Sequence, residues 1–380
     1  MKTTLFILGF LFSIVCIAQY EIGFSSVDFT DPSRTRTVSC EIYYPSVTAG
    51  QDVSCAAGTF PIIVFGHGFV MGYDAYMNFA DMLVPLGYIM IFPTTETGMS
   101  PDHEAFGLDL KFLNDEVKSQ AVSNSSFILY NHSNGKTAIA GHSMGGGASF
   151  LAAAGNNNLT TLINFAAAET DPSAIVAAAS VSVPSVVFIG ENDGVAPPDD
   201  HQTPMYNALG ATCKYSITII GGGHCYFANS NTMCTTGEMF TSPQPTITRE
   251  EQHDVVFDML IPYLEWQLKG NNSYKTLFED SIQNSARVTA LFSCDETGIH
   301  NAEEDWNISP NPVSGQLQIA FPDDAQRVIS ISDFSGRVIL KICSEASCQN
   351  LDLGKLSGGM YFLQVSEGDV VYSRRLLKSQ

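Results

Sequence analysis

The chain has 380 residues, 45% of them hydrophobic and only 15% charged, with a formal net charge of −21. That length accommodates one large domain and a small second one, and that hydrophobicity predicts a sizeable core rather than disorder. So acidic a chain would be repelled by nucleic acid and by anionic membranes, which excludes both as partners.

Met1 to Ala18 has a basic start at Lys2, an apolar stretch from Leu5 to Ile17 and a small residue at the cut, and predicts a signal peptide over residues 1–18. No later segment approaches the roughly twenty continuous apolar residues of a spanning helix. Export into an oxidising compartment changes how the nine cysteines read, because removing Cys16 leaves an even number. Cys40 with Cys55, Cys225 with Cys234, and Cys343 with Cys348 are each close enough to close a local loop. Cys213 and Cys294 are then paired by elimination, and other pairings stay open. No Cys/His spacing suggests zinc, so neither metal nor cofactor is expected.

From Ile22 to about Cys294 short apolar runs alternate with helical stretches. Pro61–Phe65 reads as a buried strand and ends in Gly66-His67-Gly68-Phe69. Ala75 to Leu86 has helical spacing, and Tyr88–Phe92 is a second strand. Thr137–Ala140 leads into Gly141-His142-Ser143-Met144-Gly145-Gly146-Gly147, and Ala148–Ala154 continues as a helix. A serine on a tight strand-to-helix turn has its hydroxyl pushed out at the top of the sheet, and the strained turn needs small neighbours, here Gly141 and Gly145. Strands follow at Ser185–Ile189 and Tyr215–Ile220, then a long helix from about Arg249 to Leu268. Alternating strands and helices predict an α/β fold: a mostly parallel central sheet flanked by helices on both sides.

A reactive serine needs a base for its proton, and the base needs an acid to fix its tautomer. After Ile189 comes Gly190-Glu191-Asn192-Asp193-Gly194, and after Ile220 comes Gly221-Gly222-Gly223-His224. Ser143, Asp193 and His224 therefore stand in the chain order of a strand-loop triad, with Glu191 as the alternative acid. His67, His103, His132 and His142 precede the serine, and His253 falls inside the long helix. An oxyanion needs two backbone donors, and the amides of Met144 and Phe69 are the candidates.

Around Asp295 to Asp305 the pattern breaks into a polar, acidic linker. Beyond it, period-two segments (Leu317, Ile319, Phe321; Val338, Leu340, Ile342; Tyr361, Leu363, Val365) separated by turns at Asp333–Gly336 and Ser357–Gly359 predict a small all-β domain over 306–380. It contains no histidine and is assigned no chemistry.

Two resemblances attach to these residues. Pro310-Asn311-Pro312, Asp333-x-x-Gly336, Leu356-x-x-Gly359-x-Tyr361 and the basic Arg374-Arg375-x-x-Lys378 end resemble the C-terminal sorting domain of Bacteroidota type IX secretion. That resemblance implies the secretion machinery as a partner and export through the outer membrane. Gly-x-Ser-Met-Gly-Gly-Gly, Gly-Glu-Asn-Asp-Gly-Val-Ala-Pro and Gly-Gly-x-His followed by Ala228-Asn229-Ser230 look like bacterial cutinases and PET-hydrolysing polyesterases, from about Pro61 to Cys294. The resemblance implies an α/β-hydrolase domain over 19–294, with Ser143 as nucleophile, His224 as base and Asp193 as orienting acid. It also places Phe69 and Met144 at the oxyanion hole and on an apolar floor, with Thr170 lining the acyl side. Where that family commonly carries a stacking tryptophan this chain reads Ala168-Glu169-Thr170-Asp171. The family's disulfide between the acid and histidine loops lacks its acid-side cysteine, which leaves Cys225 to Cys234. The expectation is a secreted, monomeric serine esterase acting on esters and polyesters, weakly on PET. A general lipase or carboxylesterase is the alternative, and a non-catalytic binding protein on a hydrolase scaffold is the alternative of another class.

Overall fold

The computed structural model describes residues 20–294, 306–333, 338–367 and 370–379. The expected signal peptide, the 295–305 linker and most of the Asp333–Gly336 turn lie outside the described residues. Two compact units emerge, one made of the chain through Ile261 with Gln267–Lys269 and Ser285–Ser293, the other of Pro262–Trp266, Gly270–Asn284 and Cys294 onward.

The first unit is built on one ten-stranded sheet. Its strands are β1 (Glu21–Asp31), β2 (Arg36–Ser46), β3 (Gly50–Gln51), β4 (Phe60–Gly66), β5 (Ile89–Pro93), β6 (Ser133–His142), β7 (Thr161–Phe165), β8 (Ser185–Gly190), β9 (Cys213–Ile219) and β10 (Val288–Cys294). Their spatial order is β10-β9-β8-β7-β6-β4-β5-β2-β1-β3. The run from β5 through β4 and β6 to β9 is parallel throughout. Strands β4, β5, β7 and β8 are buried at every position, as a sheet covered on both faces requires. The long β1–β2 hairpin is antiparallel, and its residues alternate between buried and accessible, so one face meets solvent.

Helices α1 (Met77–Leu83), α2 (His103–Ser123), α3 (Met144–Ala153), α4 (Ala174–Ala178), α5 (Gln202–Ala208), α6 (Thr232–Met239) and α7 (Arg249–Lys269) fill the connections. The helix expected over Ala75–Leu86 is shorter, because Tyr73–Tyr76 forms a 3-10 turn and Pro85 follows Leu83-Val84. Helix α2 starts where Asp102 accepts the Ala105 N–H at 2.9 Å, an N-cap that relieves one orphan amide. The chain runs from β4 to β5 on one side, then returns to place β6 on the other side of β4. Strand order therefore reverses between β4 and β6, and open α/β sheets bind ligands in the crevice at the carboxyl ends of such a pair.

In the second unit, α8 (Ser273–Asn284) buries Phe278 and Ile282, one turn apart. Strands β11 (Asn307–Ser309), β12 (Gln316–Ala320), β13 (Arg327–Asp333), β14 (Val338–Ser344), β15 (Cys348–Asp352), β16 (Gly359–Glu367) and β17 (Val370–Lys378) form a three-stranded and a four-stranded sheet. Leu317 and Ile319 from one sheet share a core with Ile329, Ile331, Leu363 and Val365 from the other. This is the small all-β region that the period-two pattern predicts.

Two expected disulfides are absent: Cys40, Cys55, Cys343 and Cys348 are free. The backbone of Cys55 lies opposite Ser46, whereas Cys40 sits six positions earlier on β2, roughly 20 Å away along a strand. Cys343 on β14 and Cys348 on β15 belong to different sheets. Cys225 is bonded to Cys234, and Cys213 and Cys294 are both in disulfides.

A buried carboxylate ties α2 to the hairpin. Asp109, fully buried, accepts from Arg36 at 2.7 and 2.9 Å and from the Thr95 hydroxyl at 2.7 Å, and pairs with Arg34 at 2.8 Å. Removing it would take the buried carboxylate from two partly shielded cations and leave Arg34 on Asp31 and Arg36 on Glu96. Asp109→Ala is expected to cost about 3 kcal/mol, read as a lower urea midpoint at unchanged m-value.

Candidate active site

Ser143 stands between β6 and α3 with φ 54° and ψ −120°, a left-handed conformation that non-glycine residues rarely adopt. The strain persists because the surrounding backbone over-determines it. The Ser143 N–H donates to the Phe165 carbonyl at 3.1 Å, and its own carbonyl accepts from Gly147 and Ala168 at 3.0 and 2.9 Å. A Cβ on Gly141 would lie 2.2 Å from the Gly145 carbonyl oxygen, and one on Gly145 would lie 2.2 Å from that of Gly66. Only glycine fits at either position.

Three loops at the carboxyl end of the sheet converge there. The Ser143 hydroxyl donates to Nε2 of His224 at 2.9 Å. Nδ1–H of His224 donates to Oδ2 of Asp193 at 2.7 Å. Oδ1 of Asp193 accepts from the Val195 and Ala196 amides at 2.9 and 2.8 Å, so both carboxylate oxygens are satisfied although the group is buried. Glu191, the alternative acid, accepts instead from Gly221 N–H at 2.8 Å and braces the end of the sheet.

Met144 opens α3, where helix amides have no intrahelical acceptor. The Gly68 carbonyl accepts from the Met71 N–H at 3.1 Å, which fixes the Gly68–Phe69 peptide plane. In a trans peptide the Phe69 N–H then points the opposite way. The Phe69 ring is 44% exposed, so it offers apolar surface. Thr170 is 8% exposed, its hydroxyl donates to the Pro172 carbonyl at 2.7 Å, and its methyl lies against Gly147 of α3. The Glu169 carboxylate accepts from Ile175 N–H at 3.1 Å, in the first turn of α4. Phe227 is buried against Phe165 and His142, and Tyr226 lies under the Arg249 guanidinium.

Three further residues brace this site and escape motif reading. His142 is fully buried, and its Nε2–H donates to the His224 carbonyl at 2.9 Å. Its Nδ1 is therefore the acceptor for the Tyr76 hydroxyl at 2.8 Å, which in turn accepts from Gly68 N–H at 2.8 Å. One relay thus joins the Phe69 loop to the His224 loop. Glu238 of α6, also buried, accepts from the His224 and Cys225 amides at 2.6 and 3.2 Å. No local sequence signal marks Tyr76 or Glu238, and His142 was legible only as a neighbour of the serine. Among the described residues no group of three or more His, Cys, Asp or Glu side chains could hold a metal ion.

Residues 23–242 match the family model described as PET hydrolase-like, more than half of the chain, and the chain belongs to that family. Residues 307–379 match the secretion system C-terminal sorting domain, the type IX module. No curated protein matches the chain.

Burial, more than its neighbours His224 and Arg249, holds the His142 pKa well below the ordinary histidine value. The folded state therefore keeps it neutral, while the unfolded chain takes up a proton near pH 6.5. Its contribution to stability is fully present above that value and is lost as pH falls below it. His142→Gln, which can still donate to the His224 carbonyl, should flatten the fall in stability between pH 6.5 and 5 by up to about 1.4 kcal/mol per pH unit. Thermal melts of both proteins across that range give the slopes, and equal slopes would show that His142 carries no such linkage.

Proposed function

We propose that this chain is a secreted serine esterase of the cutinase and polyesterase type. The continuous hydrogen-bonded line from Ser143 through His224 to Asp193, at 2.9 and 2.7 Å, carries the reading. As the Ser143 oxygen bonds to the ester carbonyl carbon, its proton passes to Nε2 of His224. Asp193 holds the ring in the tautomer that can accept it and stabilises the resulting imidazolium. The developing oxyanion is met by the Met144 and Phe69 amides. The imidazolium then returns its proton to the leaving alcohol, and water repeats the cycle on the acyl-enzyme.

The domain reading follows the same logic. Residues 19–294 carry the chemistry behind a signal peptide at 1–18, and 306–380, beyond a 295–305 linker, act as the export address. The substrate enters alone, without metal or cofactor, and the enzyme works as a monomer.

Ser143→Ala, His224→Ala and Asp193→Asn should each lower kcat on p-nitrophenyl butyrate by about a thousandfold or more at normal folding. The three act as a unit, so the triple variant should be little worse than Ser143→Ala. An Asp193→Asn enzyme with near-normal turnover would reject the acid assignment.

The acyl side is sparser than the catalytic side. Phe69 offers one exposed ring, while Thr170 and Phe227 turn inward and Glu169 serves α4. An aromatic acyl group gains about 0.5–1.5 kcal/mol from each stacking partner, and this reading counts on the Phe69 ring alone. Aliphatic polyester should therefore be hydrolysed faster than aromatic polyester of matched crystallinity, measured as acid released per unit area. A preference for the aromatic film would mean that another ring closes over the site.

A further inference from the structure

Among the buried ionisable side chains that this mechanism leaves unused, Glu238 contacts the peptide of the base itself. It is 4% exposed, and a single carboxylate oxygen receives the peptide N–H groups of both His224 and Cys225. Helix α6 is fixed in place to deliver it. Cys234, one turn before Glu238, is bonded to Cys225, and Gln244 donates to the Glu238 carbonyl at 2.7 Å. The other side of the same loop is held through its carbonyls, His224 by His142 and Cys225 and Ala228 by the Arg249 guanidinium. The base loop is thus gripped by its N–H groups from α6 and by its C=O groups from β6 and α7.

Hydrogen bonding alone would be served by a neutral acceptor, since an amide oxygen accepts an N–H equally well. A carboxylate at this depth pays a desolvation penalty, and burial does push the Glu238 pKa up, against the two N–H donors and the nearby His224. The charged groups that face it are His224 and Asp193 on the two catalytic loops and Arg249 at the start of α7. Asp193 opposes its charge, whereas His224 and Arg249 favour it.

Resting on the esterase reading above, we infer that Glu238 is a positioning residue for the base: it fixes the His224 peptide and adds a second negative charge that favours the imidazolium form of His224. When the Ser143 proton moves to Nε2, positive charge appears on a ring that already has Asp193 at Nδ1. Glu238 holds the peptide of that residue and acts only through it. In a water-poor interior its field is weakly screened, so it counts for more than a surface charge would.

The test uses the full chain and p-nitrophenyl butyrate, with kcat and kcat/KM followed from pH 5 to 9. Glu238→Gln keeps the shape and one acceptor oxygen while removing the charge. It is expected to lower kcat about tenfold with KM changed less than about twofold. The acid limb of kcat/KM, where the base becomes protonated and inactive, should move to lower pH by about half a unit or more. Glu238→Ala, lacking both acceptor and charge, should lose more activity than Glu238→Gln. A Glu238→Gln enzyme with wild-type kcat, or one whose acid limb stays in place, overturns the inference. Should Glu238→Gln fail to fold, Glu238→Asp retains the charge at a greater distance. It should then keep the acid limb near wild type while kcat falls, and a limb that moves down overturns the inference equally. A wild-type chain inert on every ester tested would instead sink the esterase reading, which keeps the two failures apart.

Discussion

The closest constraint in the molecule is the contact of bare backbone with bare backbone where β4, β6 and α3 meet. No side-chain atom fits between Gly141 and Gly145, or between Gly145 and Gly66. Because the start of α3 packs directly on the end of β4, the loop that carries Phe69 and the turn that carries Ser143 begin from one rigid point. The strain at Ser143 is held there by three backbone hydrogen bonds to β7, α3 and the segment after β7. On the esterase reading, oxyanion donors must be preorganised relative to the attacking oxygen to be worth several kcal/mol, and this packing would supply that preorganisation before any ligand arrives.

Around that point the protein manages charge by burial and pairing rather than by solvent. Asp193 is buried yet fully hydrogen-bonded, so its negative charge is both tolerated and directed at one ring nitrogen. His142, equally buried, goes the other way and stays neutral, chiefly because burial penalises its charged form, with His224 and Arg249 adding to the effect. The two histidine rings lie 4.8 Å apart. A neutral histidine donor on one side and the Glu238 carboxyl group on the other hold the same loop, one by a carbonyl and the other by two amides.

What could be read in the sequence follows from how local the responsible physics is. Parallel strands buried on both faces print as continuous apolar runs, and the strained turn prints as glycines at fixed offsets from Ser143. Asp193 and His224 print as polar residues directly after such runs. Tyr76 and Glu238 do not, because their roles depend on which loop the tertiary fold brings opposite them. Glu238 is on a helix that local pattern leaves unremarkable, and its partner is a backbone amide, which has no sequence signature. The misplaced disulfides at Cys40–Cys55 and Cys343–Cys348 have the same origin. Spacing along the chain says that two cysteines could meet, whereas the register at Ser46–Cys55 and the division into two sheets decide that they do not. Thr170 is nearly buried, and its methyl packs closely on Gly147 of α3, a contact that no local pattern announces.

On the esterase reading the site has two unequal halves. Asp193 and His224 are buried and braced, and Ser143 is tied to the rigid centre of the sheet, whereas Phe69 is exposed. On the same reading the exposed Phe69 ring supplies the apolar surface for an acyl group. Binding shared equally by ground and transition states adds little to turnover, so a sparse acyl side need not slow the chemistry of a small ester. On the esterase reading it leaves fewer contacts for a large flat acyl group, and a substrate presented as an extended surface can supply such contacts from its own neighbouring units.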